Sequence, residues 1–270
     1  MKAVSFNVNS IRVRLHQLEA VINKYQPEVI GLQETKVTDE DFPSEAIEAL
    51  GYHAAFTGQK THYGVALLTK SPMRDVLTRF PGDTDESQRR FVSAVIDVNG
   101  TALKVANGYF PQGESRKHAT KFPAKAAYYA DLLSFLKRDC DAETPVLVMG
   151  DMNVAPGDLD IGIGEANMKR WLKDGKTSFL PEEREWLQLL ADWGLFDTYR
   201  HLAPTADDLF SWFDYRSRGF EREPKRGLRI DLIMATEVLR SKLLNAGIDY
   251  EIRGMEKPSD HCPIFAEFDL

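Results

Sequence analysis

A chain of 270 residues, 43% apolar and 28% charged, is long enough and apolar enough to bury a sizeable core as one large domain or two small ones. Its formal net charge of −7 excludes a passive nucleic-acid coat that works by counterion release, but not an enzyme whose acids hold cations. The two cysteines, Cys140 and Cys262, give neither a disulfide framework nor a zinc-ligand spacing, and no apolar run reaches membrane-spanning length.

The chain opens on a strand-like run, Val4-Ser5-Phe6-Asn7-Val8-Asn9, without a signal-peptide core, so a reducing, cytosolic setting is expected. Leu15, Leu18, Val21, Ile22 and Tyr25 then recur at helical spacing. Val29-Ile30-Gly31-Leu32-Gln33-Glu34 reads as a strand, and further strand-length runs lie at 64–68, 91–96 and 102–106. Ala127, Tyr128, Leu132, Phe135 and Leu136 mark a second helix, which leads to the run Val146-Leu147-Val148-Met149-Gly150-Asp151-Met152-Asn153. A third helix opens at Pro181-Glu182-Glu183, where acids suit the helix dipole, and carries Trp186, Leu187, Leu190 and Trp193. Runs at 229–234 and 262–266 complete the strands. No linker interrupts this pattern, so residues 1–270 are read as one domain. Its halves echo each other, because Asn7 and Asn9 close a strand in one and Asp151 and Asn153 do so in the other. Alternating and continuous apolar patterns are mixed, as in sheets buried against each other. The expected fold is α+β, a four-layer αββα sandwich of two packed mixed sheets flanked by helices.

Compact acids and amides at several strand ends are what a hard divalent cation and a phosphate ester require. Glu34 either caps a turn as it leaves the core or joins Asn7 and Asp260 around an ion. Asp151 and Asn153 share a face if the strand continues through them; Asp151 would then take a proton from water and Asn153 would orient it or bind a phosphoryl oxygen. The simpler alternative is a Gly-Asp turn closed by an Asx-type hydrogen bond. Asp231, inside an apolar run, needs a partner, either Arg229 or His261; the second would fix the imidazole tautomer and favour its cation. Tyr109 is a half-buried packing residue or a phosphate-orienting hydroxyl. The segment from Phe210 to Phe220 interleaves aromatics with arginines, and six basic residues lie between Arg216 and Arg229, a mixture that can stack on a base or sugar while touching phosphates. A second basic stretch, Arg116, Lys117, His118, Lys121 and Lys125, opens a helix whose amides would face phosphates. Taken singly, a basic stretch of either kind is more often a solvated face.

Taken in order, Ser5-Phe6-Asn7, Leu32-Gln33-Glu34-Thr35-Lys36, Gly108-Tyr109-Phe110-Pro111, Gly150-Asp151-Met152-Asn153, Arg229-Ile230-Asp231-Leu232 and Ser259-Asp260-His261 span nearly the whole chain. This series resembles the exonuclease III family of AP endonucleases, within the endonuclease/exonuclease/phosphatase superfamily. Gly113-Glu114-Ser115-Arg116, 211–216 and Pro258-Ser259-Asp260 draw it toward the bacterial members. Ser10, where many relatives have Gly, is a departure expected to touch only a turn. The resemblance implies Mg²⁺- or Mn²⁺-dependent hydrolysis of double-stranded DNA with abasic sites or blocked 3′ ends by a cytoplasmic monomer. It implies incision 5′ to abasic sites, 3′-to-5′ exonuclease action and removal of 3′ phosphate blocks. It makes Glu34 the principal metal ligand with Asn7 and Asp260 nearby, and puts Asp151, Asn153 and His261 at the same ion. Asp151, Asn153, Asp231, His261 and Tyr109 become catalytic. Arg90, Gln112 and Lys121 would contact DNA, and Trp212, Phe213 and Leu228 would line a pocket for a base-less sugar. A superfamily relative acting on a lipid or small phosphate ester, and a DNA-binding scaffold without catalysis, are the rival readings.

Overall fold

The computed structural model describes residues 1–270. Twelve strands form two six-stranded sheets. The first contains β1 (Lys2–Asn7), β2 (Val29–Gln33), β3 (His53–Thr57), β4 (Val65–Thr69), β11 (Leu243–Ile248) and β12 (Ile264–Phe268), in the order β3-β4-β2-β1-β12-β11. The second contains β5 (Arg74–Leu77), β6 (Phe91–Val98), β7 (Thr101–Tyr109), β8 (Val146–Asp151), β9 (Leu195–Asp197) and β10 (Asp231–Thr236), in the order β5-β6-β7-β8-β10-β9. Read from β11 to β3, the first sheet matches the second position for position, with β1 where β7 stands and β2 where β8 stands. Each sheet has one central parallel pair, β1 with β2 and β7 with β8, and each parallel strand is flanked by an antiparallel neighbour. This repeat sets Asn7 against Tyr109 and Glu34 against Asp151, so the sequence echo of Asn7 with Asp151 is not the topological repeat.

Burial explains the sequence patterns. β2, β4, β8 and β10 are buried along their whole length, so they read as continuous apolar runs rather than alternating ones. Between the sheets lies a core that includes Val29, Leu67, Val105, Leu147, Met149 and Ile233. The outer face of the first sheet packs on α1 (Ile11–Tyr25) through Leu18, Val21 and Ile22. The outer face of the second packs on α3 (Lys121–Asp139) and α5 (Pro181–Trp193) through Leu132, Phe135, Leu187 and Leu190. The layers are therefore helix, sheet, sheet and helix. Each such aliphatic side chain contributes about 1.5–3 kcal/mol by leaving water. Short helices α2 (Ser44–Ala49), α6 (Thr198–Leu202) and α7 (Tyr250–Arg253), with α4 (Glu165–Asp174), complete the chain. No helix is long and apolar enough to cross a membrane.

One buried polar pair holds the sheets in register near the future site. Gln33 Nε2 donates to Asn107 Oδ1 at 2.6 Å, and Asn107 Nδ2 donates to the carbonyls of Leu32 and Ala66 at 3.0 Å each. Gly150, at φ 146°, pairs with Gly108 so closely that a Cβ would lie 1.9 Å from the Gly108 carbonyl oxygen.

Two expectations are corrected. The eighth strand stops at Asp151, and Asn153 turns into the left-handed region at φ 54°, so strand alternation is not what aligns the two. The Asx bond weighed as the simpler alternative is present, with Asn153 N–H donating to Asp151 Oδ1 at 3.0 Å. Ser10 does more than occupy a turn: it precedes α1 at φ 91°, ψ 105°, where a Cβ is strained.

Candidate active site

The parallel pairs send the ends of β1, β2, β7 and β8 to one edge of the sandwich, and β10 and β12 begin there. Asn7 ends β1, Glu34 follows β2, Tyr109 ends β7, Asp151 ends β8, and Asp231 opens β10. Asp260 and His261 lie just before β12, bridged to Trp212 by an isolated ladder contact. Residues 7 to 261 thus meet because of strand direction alone.

Asn7 sits at the centre, fully buried. Its Oδ1 accepts the Asn9 N–H at 3.0 Å, which turns Nδ2 toward Glu34 Oε1 at 2.9 Å and Asp151 Oδ2 at 3.0 Å. In this arrangement Asn7 is the donor that draws the two carboxylates together, and its oxygen is not presented to an ion. Glu34, Asp151 and His261 each offer a ligand atom, all within 4.8 Å of one another. Two carboxylate oxygens at that spacing fit a hard divalent cation that keeps water and phosphate oxygens as its other ligands. Lys36 Nζ lies 2.8 Å from Glu34 Oε2 and offsets part of its charge.

Asp231 takes His261, not Arg229, as its partner. His261 Nδ1 lies 2.8 Å from Asp231 Oδ2 and 3.0 Å from Oδ1, while Nε2 points to Asp151 Oδ2 at 3.7 Å. Burial disfavours the imidazolium, but the charges of Asp231 and Asp151 outweigh it and raise the pKa to about 10. Protonated, the imidazole presents a hydrogen-bond donor at Nε2; neutral, it would offer that nitrogen to an ion. Arg229 belongs to a separate buried network with Asp160 and Asp197, each at 2.6 Å.

Asp151 behaves in the opposite sense. Burial, then the neighbouring charges of Asp231 and Glu34, raise its pKa to about 7 against the opposing pull of His261. A carboxylate poised there accepts and returns a proton near neutrality. Tyr109 is held protonated, burial first and the charges of Glu34 and Asp151 next keeping its pKa well above the usual phenol. The Arg90 guanidinium lies 4.5 Å from the Tyr109 ring centroid and 4.4 Å from that of Tyr63, which fixes the approach to the phenol.

A cleft of about 190 Å³ opens on these groups, lined by Glu34, Tyr109, Gln112, Asp151, Asn153, Trp212, Asp260 and His261. A larger groove of about 950 Å³ lies at the other end of the second sheet and contains none of them. Asp260 borders the cleft but stands outside the tight donor cluster: its oxygens accept Asn9 Nδ2 at 2.8 Å and Trp212 Nε1 at 3.1 Å. Asn153 turns its Nδ2 to the Phe110 carbonyl at 3.0 Å. Arg90, Gln112 and Lys121 border an adjoining cavity, where Lys121 is paired with Glu114 at 2.6 Å.

Other placements differ from the sequence reading. Phe213 is 1% exposed and packs edge-on against Phe220 and Tyr250, facing away from the cleft. Leu228 is fully buried under Trp212 against Ala155 and Phe179. Of the proposed pocket lining, only Trp212 reaches the cleft; Trp171, Ser178 and Ile230 take the remaining wall. In the basic stretch, Arg116 pairs with Glu182, and Lys125 is buried against Glu183 and the Asn153 carbonyl. Lys36 and Asn9 were legible only as neighbours of Glu34 and Asn7, and nothing in the sequence pointed to Trp171 or Ser178.

This fold and site define a class. Residues 4–261 match the model of the endonuclease/exonuclease/phosphatase family, and the chain belongs to that family. Within it, Exodeoxyribonuclease III of Haemophilus influenzae is 58% identical over 268 residues, covering 99% of this chain and 100% of that one. Two solved structures superpose over 100% of both chains. One is the 3′ phosphatase NExo from Neisseria bound to product DNA hairpin, with TM-score 0.91 and 34% identity. The other is an AP endonuclease from Archaeoglobus fulgidus, with TM-score 0.90 and 31% identity.

Proposed function

We propose that this chain is a metal-dependent DNA-repair phosphodiesterase that incises 5′ to abasic sites, degrades duplex DNA from 3′ ends and removes 3′ phosphate blocks. All three activities break a P–O3′ bond and leave a 3′ hydroxyl, so one site serves them. The observation that carries the reading is the convergence of Glu34, Asp151 and His261 beside a small cleft with an indole wall. The relatives named above are a nuclease, a phosphatase seen with DNA, and an AP endonuclease, and they support DNA as substrate.

Magnesium or manganese would be held by Glu34 and Asp151, where a bound divalent ion stabilises the charge that builds on the phosphoryl oxygens. Asp151 takes a proton from the attacking water, oriented for this by the Asn153 N–H and Asn7 Nδ2. Asn153 donates to the Phe110 carbonyl through Nδ2 and lines the cleft. The His261 imidazolium, fixed by Asp231, donates to a phosphoryl oxygen, and the Tyr109 hydroxyl positions the phosphate. Trp212 bounds a space that suits a base-less sugar better than a nucleotide carrying its base. Arg90, Gln112 and Lys121 lie along the path of the strand on the Tyr109 side.

The reading takes residues 1–270 as one domain acting as a monomer in the cytoplasm, with which the free Cys140 and Cys262 are consistent. An end-labelled duplex with a single abasic-site analogue tests it. Cleavage on the 5′ side with Mg²⁺ and none with EDTA is expected; an intact duplex with folded protein under both conditions overturns it.

A further inference from the structure

A second cavity, about 210 Å³, lies behind the wall of the catalytic cleft. Trp171 and Trp212 border both spaces. Arg170 projects into it from α4, and Arg222 and Arg226 from the loop that precedes β10. Several arginines elsewhere are paired with acids, Arg12 with Asp41, Arg79 with Asp85, Arg116 with Glu182 and Arg240 with Glu237. Here three guanidinium groups face a lining with one carboxylate, Asp214, whose Oδ1 already accepts the Arg216 N–H at 3.1 Å. Arg170 touches only the neutral Asn167 Oδ1 at 2.8 Å, and Arg222 Nε only the Ser217 carbonyl at 3.0 Å. In a chain of net charge −7, this is an uncompensated pocket of positive charge next to the reacting groups.

We propose that this cavity is a subsite for a backbone phosphate of the cut strand, neighbouring the scissile one. The proposal rests on the nuclease reading above. Guanidinium forks converging from two elements match the oxygens of a phosphodiester, and a cavity of this size admits the phosphate with part of its sugar. A nucleobase is the poorer fit. Trp171 is stacked on Phe179 with rings 4° from parallel, and Lys176 lies 5.1 Å from its ring centroid, so its faces are taken. The subsite would hold the strand on the side of Trp212 away from Arg90 and fix its register relative to Asp151.

The test is duplex binding in EDTA across a salt series, with one phosphate at a time replaced by a neutral methylphosphonate. In the unaltered protein, one linkage near the scissile position should weaken binding about tenfold, the loss of one charge-assisted contact. In Arg170→Gln/Arg226→Gln that linkage should become silent, and the slope of log K against log salt should fall by about 0.9. Arg170→Lys/Arg226→Lys should keep the slope, which separates lost charge from lost fold. An unchanged slope and methylphosphonate profile in the Gln protein overturn the subsite alone. If the unaltered protein cuts no duplex when Mg²⁺ is added, the nuclease reading falls and takes the subsite with it.

Discussion

Asp231 and His261 meet across the two sheets, one opening β10 and the other leading into β12, with Nδ1 2.8 Å from Oδ2. Replacing Asp231 by Asn removes the anion that, with Asp151, holds the imidazole pKa near 10. Below that pH the unaltered side chain is a cation; in the variant the loss of charge moves toward lower pH. Turnover should fall about a hundredfold, and its alkaline limb should shift to lower pH. The same linkage affects stability. The raised His261 pKa contributes stability that is full below about 6.5 and is lost as pH rises through about 10. The melting-temperature gap between the two proteins should therefore close at high pH, which a pH series of thermal melts measures.

Asp151 gives the converse. With its pKa raised to about 7, the metal-free folded protein holds a proton that the unfolded chain releases near 3.8. Stability from this group is greatest at low pH and is lost as pH rises through about 7. A divalent cation must displace that proton. Mg²⁺ should raise the melting temperature more at pH 8 than at pH 5.5, and Glu34→Gln should abolish most of the difference. Equal metal shifts at the two pH values would exclude Asp151 from the metal site.

Lys125 ties three loops beside the site. Its Nζ reaches Glu183, the Asn153 carbonyl at 2.8 Å and the Gln112 carbonyl at 3.3 Å, and Glu183 Oε2 accepts the N–H groups of Ser178 and Leu180 at 2.8 Å each. Lys125→Met leaves Glu183 buried without its counter-ion, at a cost of about 3–5 kcal/mol. The urea midpoint should drop with an unchanged slope, and turnover should fall because the Asn153 turn loses its anchor.

Ser10, at φ 91°, occupies backbone space that glycine enters freely. It makes no side-chain cap bond to the helix it precedes. Ser10→Gly should therefore stabilise by about 1 kcal/mol, read as a raised melting temperature. A lower melting temperature would mean that the serine hydroxyl has a partner worth more than the strain.

Trp212 bounds the cleft with its ring and binds Asp260 Oδ2 through Nε1 at 3.1 Å. Trp212→Phe keeps the ring and loses the N–H; Trp212→Ala loses both. If the ring excludes bases, only the Ala variant should lose selectivity for abasic over ordinary nucleotides, by about tenfold in kcat/KM. Equal losses in both variants would assign the selectivity to the Asp260 bond.

Much of this was readable from sequence for one reason: the strands carrying the site are buried on both faces. The runs ending at Asn7, Gln33 and Asp151 could only be interior strands, and their polar ends stood out against apolar neighbours. The stripes of α1, α3 and α5 were equally plain. What escaped depends on contacts distant along the chain. Which ring of Trp212-Phe213 faces the cleft is decided by Leu228 and His261, whose backbones pair with Trp212. The burial of Lys125 is decided by Glu183, 58 residues away. α4 buries no residue fully, and its short stripe of Met168, Trp171 and Leu172 is set in a ten-residue, mostly polar helix, so Trp171 went unseen with it. The turn at Asn153 is closed by the local Asx bond to Asp151, which the sequence offered as the simpler alternative, and is tied besides to the Phe110 carbonyl 43 residues away, which it did not.

The site is assembled from both sheets: Asn7, Glu34 and His261 come from the first, Tyr109, Asp151 and Asp231 from the second, with Gln33 and Asn107 joined between them. Neither half contains a diminished version of the chemistry. A fluctuation that slides one sheet past the other would part Asp151 from Asn7 and Asp231 from His261 at once, leaving every strand intact and the reaction absent. Activity is thus all-or-none with respect to the clasp between the halves, and turnover reports on the sandwich as a whole.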